Sequence, residues 1–306
     1  MADFFGDLKP GSLNIGEEAK PPFAVLPDPK ALFLARSKRF DALAAGHQLE
    51  PYLRFLSDLA RAQHDIQGDL PPAVLPSFER IGQALEHGMP PIARDLFEPE
   101  SAAGAVLGKL LERVSRNGQP PETAAAIQTI LNMPEDERHR AMKAALGEAS
   151  GPDDVAQRVL IAAALQVHFA RLAAMLSAGD LKPVADGACP VCGSPPVSSS
   201  VVGWPKSHNT RFCACSLCAT MWHVVRVKCV LCSTTEGIRY KTIEGQGETV
   251  KAETCQSCKS YVKILYQVKD PVLEPVADDV ATLGLDMLLA AEGWKRGGHN
   301  PFLLGY

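Results

Sequence analysis

Four turns of one type, Cys-x-x-Cys, decide the fold of this chain. They are Cys189-Pro190-Val191-Cys192, Cys215-Ser216-Leu217-Cys218, Cys229-Val230-Leu231-Cys232 and Cys255-Gln256-Ser257-Cys258. In each half of this region 22 residues separate the two turns, and every cysteine of the first two turns recurs 40 positions later. One such turn directs two thiolates at an ion, and two turns complete a tetrahedral shell. The spacing therefore predicts two copies of a zinc-ribbon or rubredoxin-like metal module.

The repeat assigns four sulfurs to each ion, because an interleaved pairing would leave neither copy with a complete shell. The expected ligands are Cys189, Cys192, Cys215 and Cys218 for the first ion and Cys229, Cys232, Cys255 and Cys258 for the second. A closed shell has no position for water, so we expect structural or redox centres and no hydrolytic ones. Zinc and rubredoxin-type iron both accept four thiolates, and the choice of metal stays open. We expect metal removal to disorder residues 185–268 and to leave the helices mostly intact.

Disulfide bonds are the main alternative for these cysteines. The chain begins Met1-Ala2-Asp3-Phe4-Phe5, without a basic segment followed by an apolar one, which predicts a reducing cytoplasmic compartment. No apolar run approaches the ~20 residues of a transmembrane helix, so we expect a soluble protein without membrane insertion. Metal-bound thiolates are favoured over disulfides on these grounds.

The part of the chain before the cysteines has a helical pattern from Asp28 to about residue 180. Asp153 or Asp154 is expected to cap the last helix, which we expect at the domain centre. His64, His87, His139 and His168 have no partner at ligand spacing, so we expect them to be structural or exposed. Beyond two helices between 31 and 60, the predicted helices are 73–88, 101–116, 121–131, 135–148 and 153–178.

Composition divides the chain, since all nine cysteines lie between positions 189 and 258. We predict an α+β protein in which an all-α domain precedes the tandem metal modules and a C-terminal helix. Strands are predicted at 221–227 and 261–268, and a helix from Val276 to Glu292 that ends at Gly293. The expected parts are an extended arm at 1–27, the all-α domain at 28–180, the first module at 181–227, the second at 228–270, and the helix and tail at 271–306.

The metal modules are basic in an otherwise acidic chain. Residues 182–270 carry eight Lys and three Arg against six Asp and Glu, although the whole chain has a net charge of -4. Nucleic-acid binding is one interpretation of this charge. We favour compensation of the metal–thiolate charge, about -2 per centre, because no arginine-rich run or aromatic–basic alternation occurs. The basic residues concerned are Lys206, Arg211, Arg226, Lys228, Lys251, Lys259 and Lys263.

Cys213 is the cysteine outside the repeat, since Glu253 lies 40 positions after it. A reactive thiol and a small packed side chain both remain open, and we favour packing. The sequence lacks a phosphate-binding Gly-rich loop, a G-x-S-x-G elbow and a His-Glu metalloprotease motif. The acidic pair Asp278 and Asp279 is expected at a helix start. We therefore expect a protein that is not an enzyme.

Several segments carry a more specific pattern than the cysteine spacing alone: Trp222-His223-Val224-Val225-Arg226-Val227-Lys228-Cys229, Lys251-Ala252-Glu253-Thr254-Cys255, Asp278-Asp279-Val280-Ala281-Thr282-Leu283, Asn300-Pro301-Phe302, Arg36-Ser37-x-Arg39-Phe40 and Leu49-Glu50-Pro51-Tyr52. Together with the four cysteine turns they resemble the formate dehydrogenase accessory protein FdhE family. The resemblance implies a cytoplasmic maturation factor that binds the catalytic subunit of a respiratory formate dehydrogenase before export. It also implies rubredoxin-type iron at the eight paired cysteines.

Three functions remain open at this point: an assembly factor, a nucleic-acid-binding tandem ribbon, and a small redox or thiol protein. We favour the assembly factor and expect no nucleic-acid partner; the oligomeric state stays open. The client surface is expected where the helical domain meets the metal modules. Trp204, Trp222 and Tyr240 are candidates to line it, and we expect Trp222 to be a packing residue.

Overall fold

The structure, a computed structural model, describes residues 21–99, 101–116, 118–147, 155–245 and 247–303. Within these residues a helical region is followed by a mixed sheet and two short C-terminal helices. This order confirms the predicted α+β fold class.

The helical region is organised around one buried helix. Residues 155–173 form this helix, most of whose side chains are buried, and five other helices of the region pack against it. The first helix begins where Asp28 accepts hydrogen bonds from the backbone N of Lys30 and Ala31, a typical N-cap. None of the described helices is long and apolar enough to cross a membrane. The helices are α1 (Pro29–Ala44), α2 (Glu50–Asp65), α3 (Phe78–Glu86), α4 (Ser101–Ser115), α5 (Pro121–Asn132), α6 (Glu135–Ala145) and α7 (Val155–Ala173).

Three predicted helices are clearly shorter in the structure, and one of them is α6, which ends at Ala145. α3 begins at Phe78 and not at residue 73, because Pro76 disfavours helical backbone before it and the Ser77 hydroxyl caps the helix at Arg80 N. α7 ends at Ala173, and a separate 3-10 turn covers Ala178–Asp180. The predicted cap at Asp153 or Asp154 lies outside the described residues.

The two metal modules form one sheet. Its strand order is β1-β4-β3-β2-β7-β6-β5, with β8 beside β7. The first copy contributes β2, β3 and β4 and the second β5, β6 and β7, each as an antiparallel unit. The copies join through the parallel pair β2 and β7, where Ser199 lies opposite Ile264. The strands are β1 (Ala24–Val25), β2 (Pro196–Val202), β3 (Thr210–Cys215), β4 (Met221–Val224), β5 (Ile238–Lys241), β6 (Val250–Cys255), β7 (Ser260–Leu265) and β8 (Lys295–Arg296).

The predicted arm contributes to this sheet, because Ala24 of β1 pairs with Trp222 of β4. Residues 1–20, the rest of the arm, lie outside the described residues. The strands predicted at 221–227 and 261–268 are present in shorter form, as β4 and β7.

The C-terminal helix is divided, so the prediction of one helix from Val276 to Glu292 was wrong. α8 (Ala277–Ala281) and α9 (Leu283–Ala291) meet at Thr282. The buried Nζ of Lys263 donates to the carbonyl and hydroxyl oxygens of Thr282 at 3.1 and 3.0 Å. A buried ammonium needs such acceptors, so the helix is interrupted where it supplies them. Gly293, with a φ of +83°, follows the end of α9 as predicted.

The two copies belong mainly to different hydrophobic clusters. One large core extends from the helices into the first copy and includes its four paired cysteines. The second copy packs mainly in two small clusters, one around Tyr261 and Leu289 and one around Leu265 and Leu273. The first cysteine cluster therefore lies inside the main core and the second at its margin.

Candidate metal centres

The structure brings the eight paired cysteines together in two clusters of four, each with its sulfurs within 4.8 Å of one another. Between the turns, Sγ–Sγ distances are 3.6 and 3.4 Å in the first cluster and 3.9 and 3.7 Å in the second. An ion with four tetrahedral bonds of ~2.3 Å to sulfur separates the sulfurs by about 3.8 Å. Both clusters therefore fit a tetrahedral ion, and all eight cysteines are free of disulfides.

Every Cys-x-x-Cys turn ends in the same backbone conformation. The residue after its second cysteine has a positive φ: 76° at Gly193, 59° at Ala219, 63° at Ser233 and 56° at Lys259. This left-handed residue closes the turn, and at Gly193 its N–H donates to the carbonyl of Cys189 at 2.9 Å. Backbone N–H groups then point at sulfur, as at Leu217, whose N lies 3.4 Å from the Sγ of Cys215. Such donors stabilise a thiolate, which is the form that binds metal.

The first centre is enclosed by the helical region. Its four cysteines are no more than 2% exposed. The backbone N–H groups of Ile92 and Arg94 donate to the carbonyls of Val191 and Cys192 at 3.1 and 2.9 Å. Burial raises the pKa of the Cys189 thiol well above its usual range. Thiolates at this depth need a cation beside them, which is consistent with an ion among the four sulfurs.

A buried polar network connects the same centre to α1 and to the C-terminal segment. The amide of Gln166 on α7 donates to the carbonyl of Ser216 at 2.8 Å, and its oxygen accepts from Arg36 at 3.3 Å. Arg36 also donates to Glu274 at 3.0 Å. Gln166 therefore links the turn that carries Ser216 to Arg36 on α1. Arg36, a residue of the Arg36-Ser37-x-Arg39-Phe40 segment, thus has a structural role.

Arg39 of that segment pairs with Asp278, which begins the segment Asp278-Asp279-Val280-Ala281-Thr282-Leu283 that the sequence analysis also quoted. Its Nε and Nη2 atoms donate to the two carboxylate oxygens at 2.9 and 2.6 Å. Bidentate pairs of this kind fix geometry. Asp278 therefore attaches α8 to α1.

The second centre faces solvent. Cys229 and Cys255 are buried, but Cys258 is half-buried and Cys232 is exposed. The C-terminal tail covers one side, where Gly297 lies so close to Leu231 that a Cβ at this position would overlap the leucine side chain. No helix of the described residues encloses Cys232 as α7 encloses the first centre.

Cys213 belongs to neither cluster. It lies in β3 opposite Ser199 and Trp222 and is fully buried. Burial raises the pKa of its thiol to about 12, which is opposed by the charge of Arg211 and increased by that of Glu253. A neutral thiol in the core agrees with the interpretation as a packed side chain.

Two of the basic residues lie inside the protein. Arg211 is fully buried and donates to Glu253 at 2.7 Å and to the Ser199 hydroxyl at 3.0 and 2.9 Å. Burial raises the pKa of Glu253, although the charge and hydrogen bond of Arg211 oppose this. Lys263 is equally buried and contacts Asp279 at 3.3 Å. The Arg211–Glu253 pair joins β3 of the first copy to β6 of the second, which the sequence analysis missed. The signal was the break in the repeat, Glu253 at the position that corresponds to Cys213.

The candidate aromatic residues differ in exposure. Trp222 is buried in the main core, as expected. The ring of Trp204 is half-buried, 5.1 Å from that of Phe212. Tyr240, on the outermost strand β5, is 42% exposed. Trp204 and Tyr240 are thus available for contact with a partner, and Trp222 is not.

The four histidines considered in the sequence analysis are His64, His87, His139 and His168. None of them belongs to the metal clusters found among the described residues. His168 is buried on α7 beside Phe97, and burial lowers its pKa to about 4, with a contribution from Arg171. His64 lies 3.0 Å from the carbonyl of Lys30. Their positions agree with the structural or exposed roles predicted, with His87 exposed and His139 on α6 beside Glu135.

Comparison with known proteins identifies the family. Three family models match consecutive parts of the chain: FdhE N-terminal at 21–186, FdhE central domain at 188–226 and FdhE C-terminal domain at 227–303. The Protein FdhE homolog of Rhizobium meliloti is 40% identical over 301 residues, which are 98% of each chain. That of Pseudomonas putida is 36% identical over 97% of this chain and 94% of its own. The crystal structure of the FdhE protein from Pseudomonas aeruginosa superposes with a TM-score of 0.82 at 34% identity, over 93% of this chain and 99% of that one. The chain therefore belongs to the FdhE family.

Proposed function

We propose that this chain is a cytoplasmic assembly factor for a respiratory formate dehydrogenase. It binds the catalytic subunit of that enzyme before export and supports its maturation. Membership of the FdhE family is the observation that carries the proposal. The two closed four-sulfur clusters support it, because they leave no open coordination position for hydrolysis.

We propose that the eight paired cysteines hold two ions, of rubredoxin-type iron or of zinc. Both metals suit four thiolates in tetrahedral geometry. Elemental analysis of the purified chain should give two ions per chain. About one ion per chain would contradict the assignment of one ion to each copy.

Nucleic-acid binding has less support because part of the positive charge lies inside the protein and another part lies near acidic side chains. Arg211 and Lys263 are buried beside carboxylates. Lys228 and Lys251 lie 3.9 Å from the acidic groups of Asp186 and Glu248. A track for phosphates would need such side chains free and aligned on the surface.

Affinity capture tests the proposed client. The tagged chain is recovered from cytosol of cells that express a formate dehydrogenase, and bound proteins and metals are measured in the same preparation. We expect the catalytic subunit to be recovered by the natural chain and lost when Cys229 and Cys232 are both replaced by Ser. Cys213→Ser is the matched control and should keep the client. Absence of the subunit, together with normal formate dehydrogenase activity in cells without this protein, would contradict the proposal.

A further inference from the structure

We propose that the second centre exchanges its metal ion with thiol-bearing acceptors, whereas the first centre retains its ion. The second centre is the cluster of Cys229, Cys232, Cys255 and Cys258. This inference rests on the proposal that both clusters hold metal.

Access to sulfur distinguishes the two centres. Exchange begins when an incoming thiol reaches a metal-bound sulfur or the ion itself. At the second centre Cys232 is exposed and Cys258 half-buried, so two of its four ligand residues are in contact with solvent. At the first centre every cysteine is buried, and an acceptor would first have to open the main core.

The cost of opening also differs. The first centre is held by hydrogen bonds from Ile92, Arg94 and Gln166, all within the helical region. The turn that carries Cys232 contacts the C-terminal tail through Leu231 and Gly297. A turn with few buried contacts opens locally at a smaller free energy than one within the core.

The exchange step moves one proton and no electrons. The sulfur of the incoming thiol forms a bond to the ion, the bond from the ion to Cys232 Sγ breaks, and the thiol proton passes to the Cys232 thiolate. A second thiol of the same acceptor then replaces Cys258 in the same way. The two thiols of a second acceptor molecule replace Cys229 and Cys255, each with the same transfer of a proton to the departing thiolate, and the ion leaves with four acceptor sulfurs. The charge on the ion and its ligands is unchanged at each replacement, and the reverse sequence loads the site.

Positive charge beside the second centre favours an anionic acceptor. Lys259 directly follows Cys258, and Lys295 of β8 donates its backbone N–H to the carbonyl of Lys259 at 3.0 Å. Both side chains are exposed. Cationic groups raise the local concentration of an anionic reactant. The acceptor class that fits is therefore a dithiol that carries carboxylates.

A metal-transfer experiment on the full chain tests the proposal. The protein is loaded with zinc, two ions per chain are verified, and an excess of 2,3-dimercaptosuccinate is added. Zinc on the protein and on the acceptor is measured over time after rapid desalting. We expect zinc to leave the protein in two phases of equal amplitude, the first at least roughly tenfold faster than the second. This ratio of rates corresponds to a difference of ~1.4 kcal/mol in activation free energy.

Variants assign the fast phase to a centre. Cys232→Ser should remove the fast phase and leave the slow phase at its natural rate. Gly297→Ala keeps all eight ligands but should accelerate the fast phase alone, because the added Cβ displaces Leu231. Gly284→Ala is its control, since the nearest atom to a Cβ there is 3.8 Å away.

Equal release rates for both ions, or a fast phase that survives Cys232→Ser, would overturn the exchange. A natural chain that takes up fewer than two ions would overturn the metal assignment beneath it. Failure to capture a formate dehydrogenase would leave this measurement unchanged, so the two proposals fail separately.

Discussion

The two metal modules have identical cysteine spacing and different surroundings. In the first, four cysteines are buried in the core that the helices share. In the second, Cys232 is exposed and a glycine-containing tail takes the place of α7. Spacing along the chain thus determines coordination, because each turn is local, whereas packing determines access and stability. The two sites are therefore equal in cysteine spacing and unequal in burial, because the helical region packs on the first of them.

Metal removal should therefore act in two stages. The sequence predicted disorder of residues 185–268 with the helices mostly intact. We now expect the helices to stay intact only when the second centre loses its ion. The first cluster packs directly against α7 through Gln166 and its neighbours, so it shares a core with the helices. Loss of the first ion should reach the helices as well.

The largest expected effect is that of Cys192→Ser. It leaves three buried sulfurs without a complete shell inside the main core, so we expect a loss of several kcal/mol, a large part of the ~5–15 kcal/mol typical of a domain. Circular dichroism during thermal unfolding should show helices melting together with the sheet. Cys232→Ser, the equivalent change in the second copy, should leave the helical transition nearly unchanged. Equal effects of the two variants would show that the centres are not different.

Arg211→Met comes next, because it breaks the buried pair that joins the copies. Glu253 would remain without its cation, at a cost of roughly 3–5 kcal/mol. Replacing both residues by Met should recover much of this loss, since the uncompensated charge is then gone. Denaturant unfolding of the natural chain, both single variants and the double variant measures the coupling. Additive effects would mean that the pair does not join the two copies energetically.

Local patterns supported the predictions that succeeded. The cysteine clusters follow from spacing within four-residue turns, and α1 follows from Asp28 and the apolar periodicity after it. The union of the copies could not be predicted, because Ser199 and Ile264 pair across a long stretch of chain that contains both turns of the second centre. The break at Thr282 depends on Lys263, which is remote in sequence. Burial of Cys189 and exposure of Cys232 likewise depend on which element packs on each copy.

A pH effect should act on the core around the first centre through His168. Its pKa in the folded chain is about 4, below the ordinary 6.5, because the neutral ring is buried on α7. Between these values the unfolded chain binds a proton that the folded chain does not. The free energy of unfolding is therefore highest above pH 6.5 and falls as the pH decreases toward 4. We expect a loss of about 2 kcal/mol between pH 7 and pH 5.

Urea unfolding of the natural chain and of His168→Leu, each at both pH values, isolates this contribution from that of the thiolates. The leucine variant should lose less stability on acidification than the natural chain. The same loss in both chains would remove His168 from the explanation.

The smallest effect is expected from Cys213→Ala. This thiol lies two residues before Cys215 yet outside both clusters, and its burial and raised pKa indicate a packed neutral group. Loss of one buried sulfur should cost about 1 kcal/mol. The variant should keep two ions per chain by elemental analysis and unfold with the same cooperativity as the natural chain. Loss of an ion from this variant would show that Cys213 contributes to the first centre, and the comparison of a buried first centre with an exposed second one would then rest on a different set of ligands.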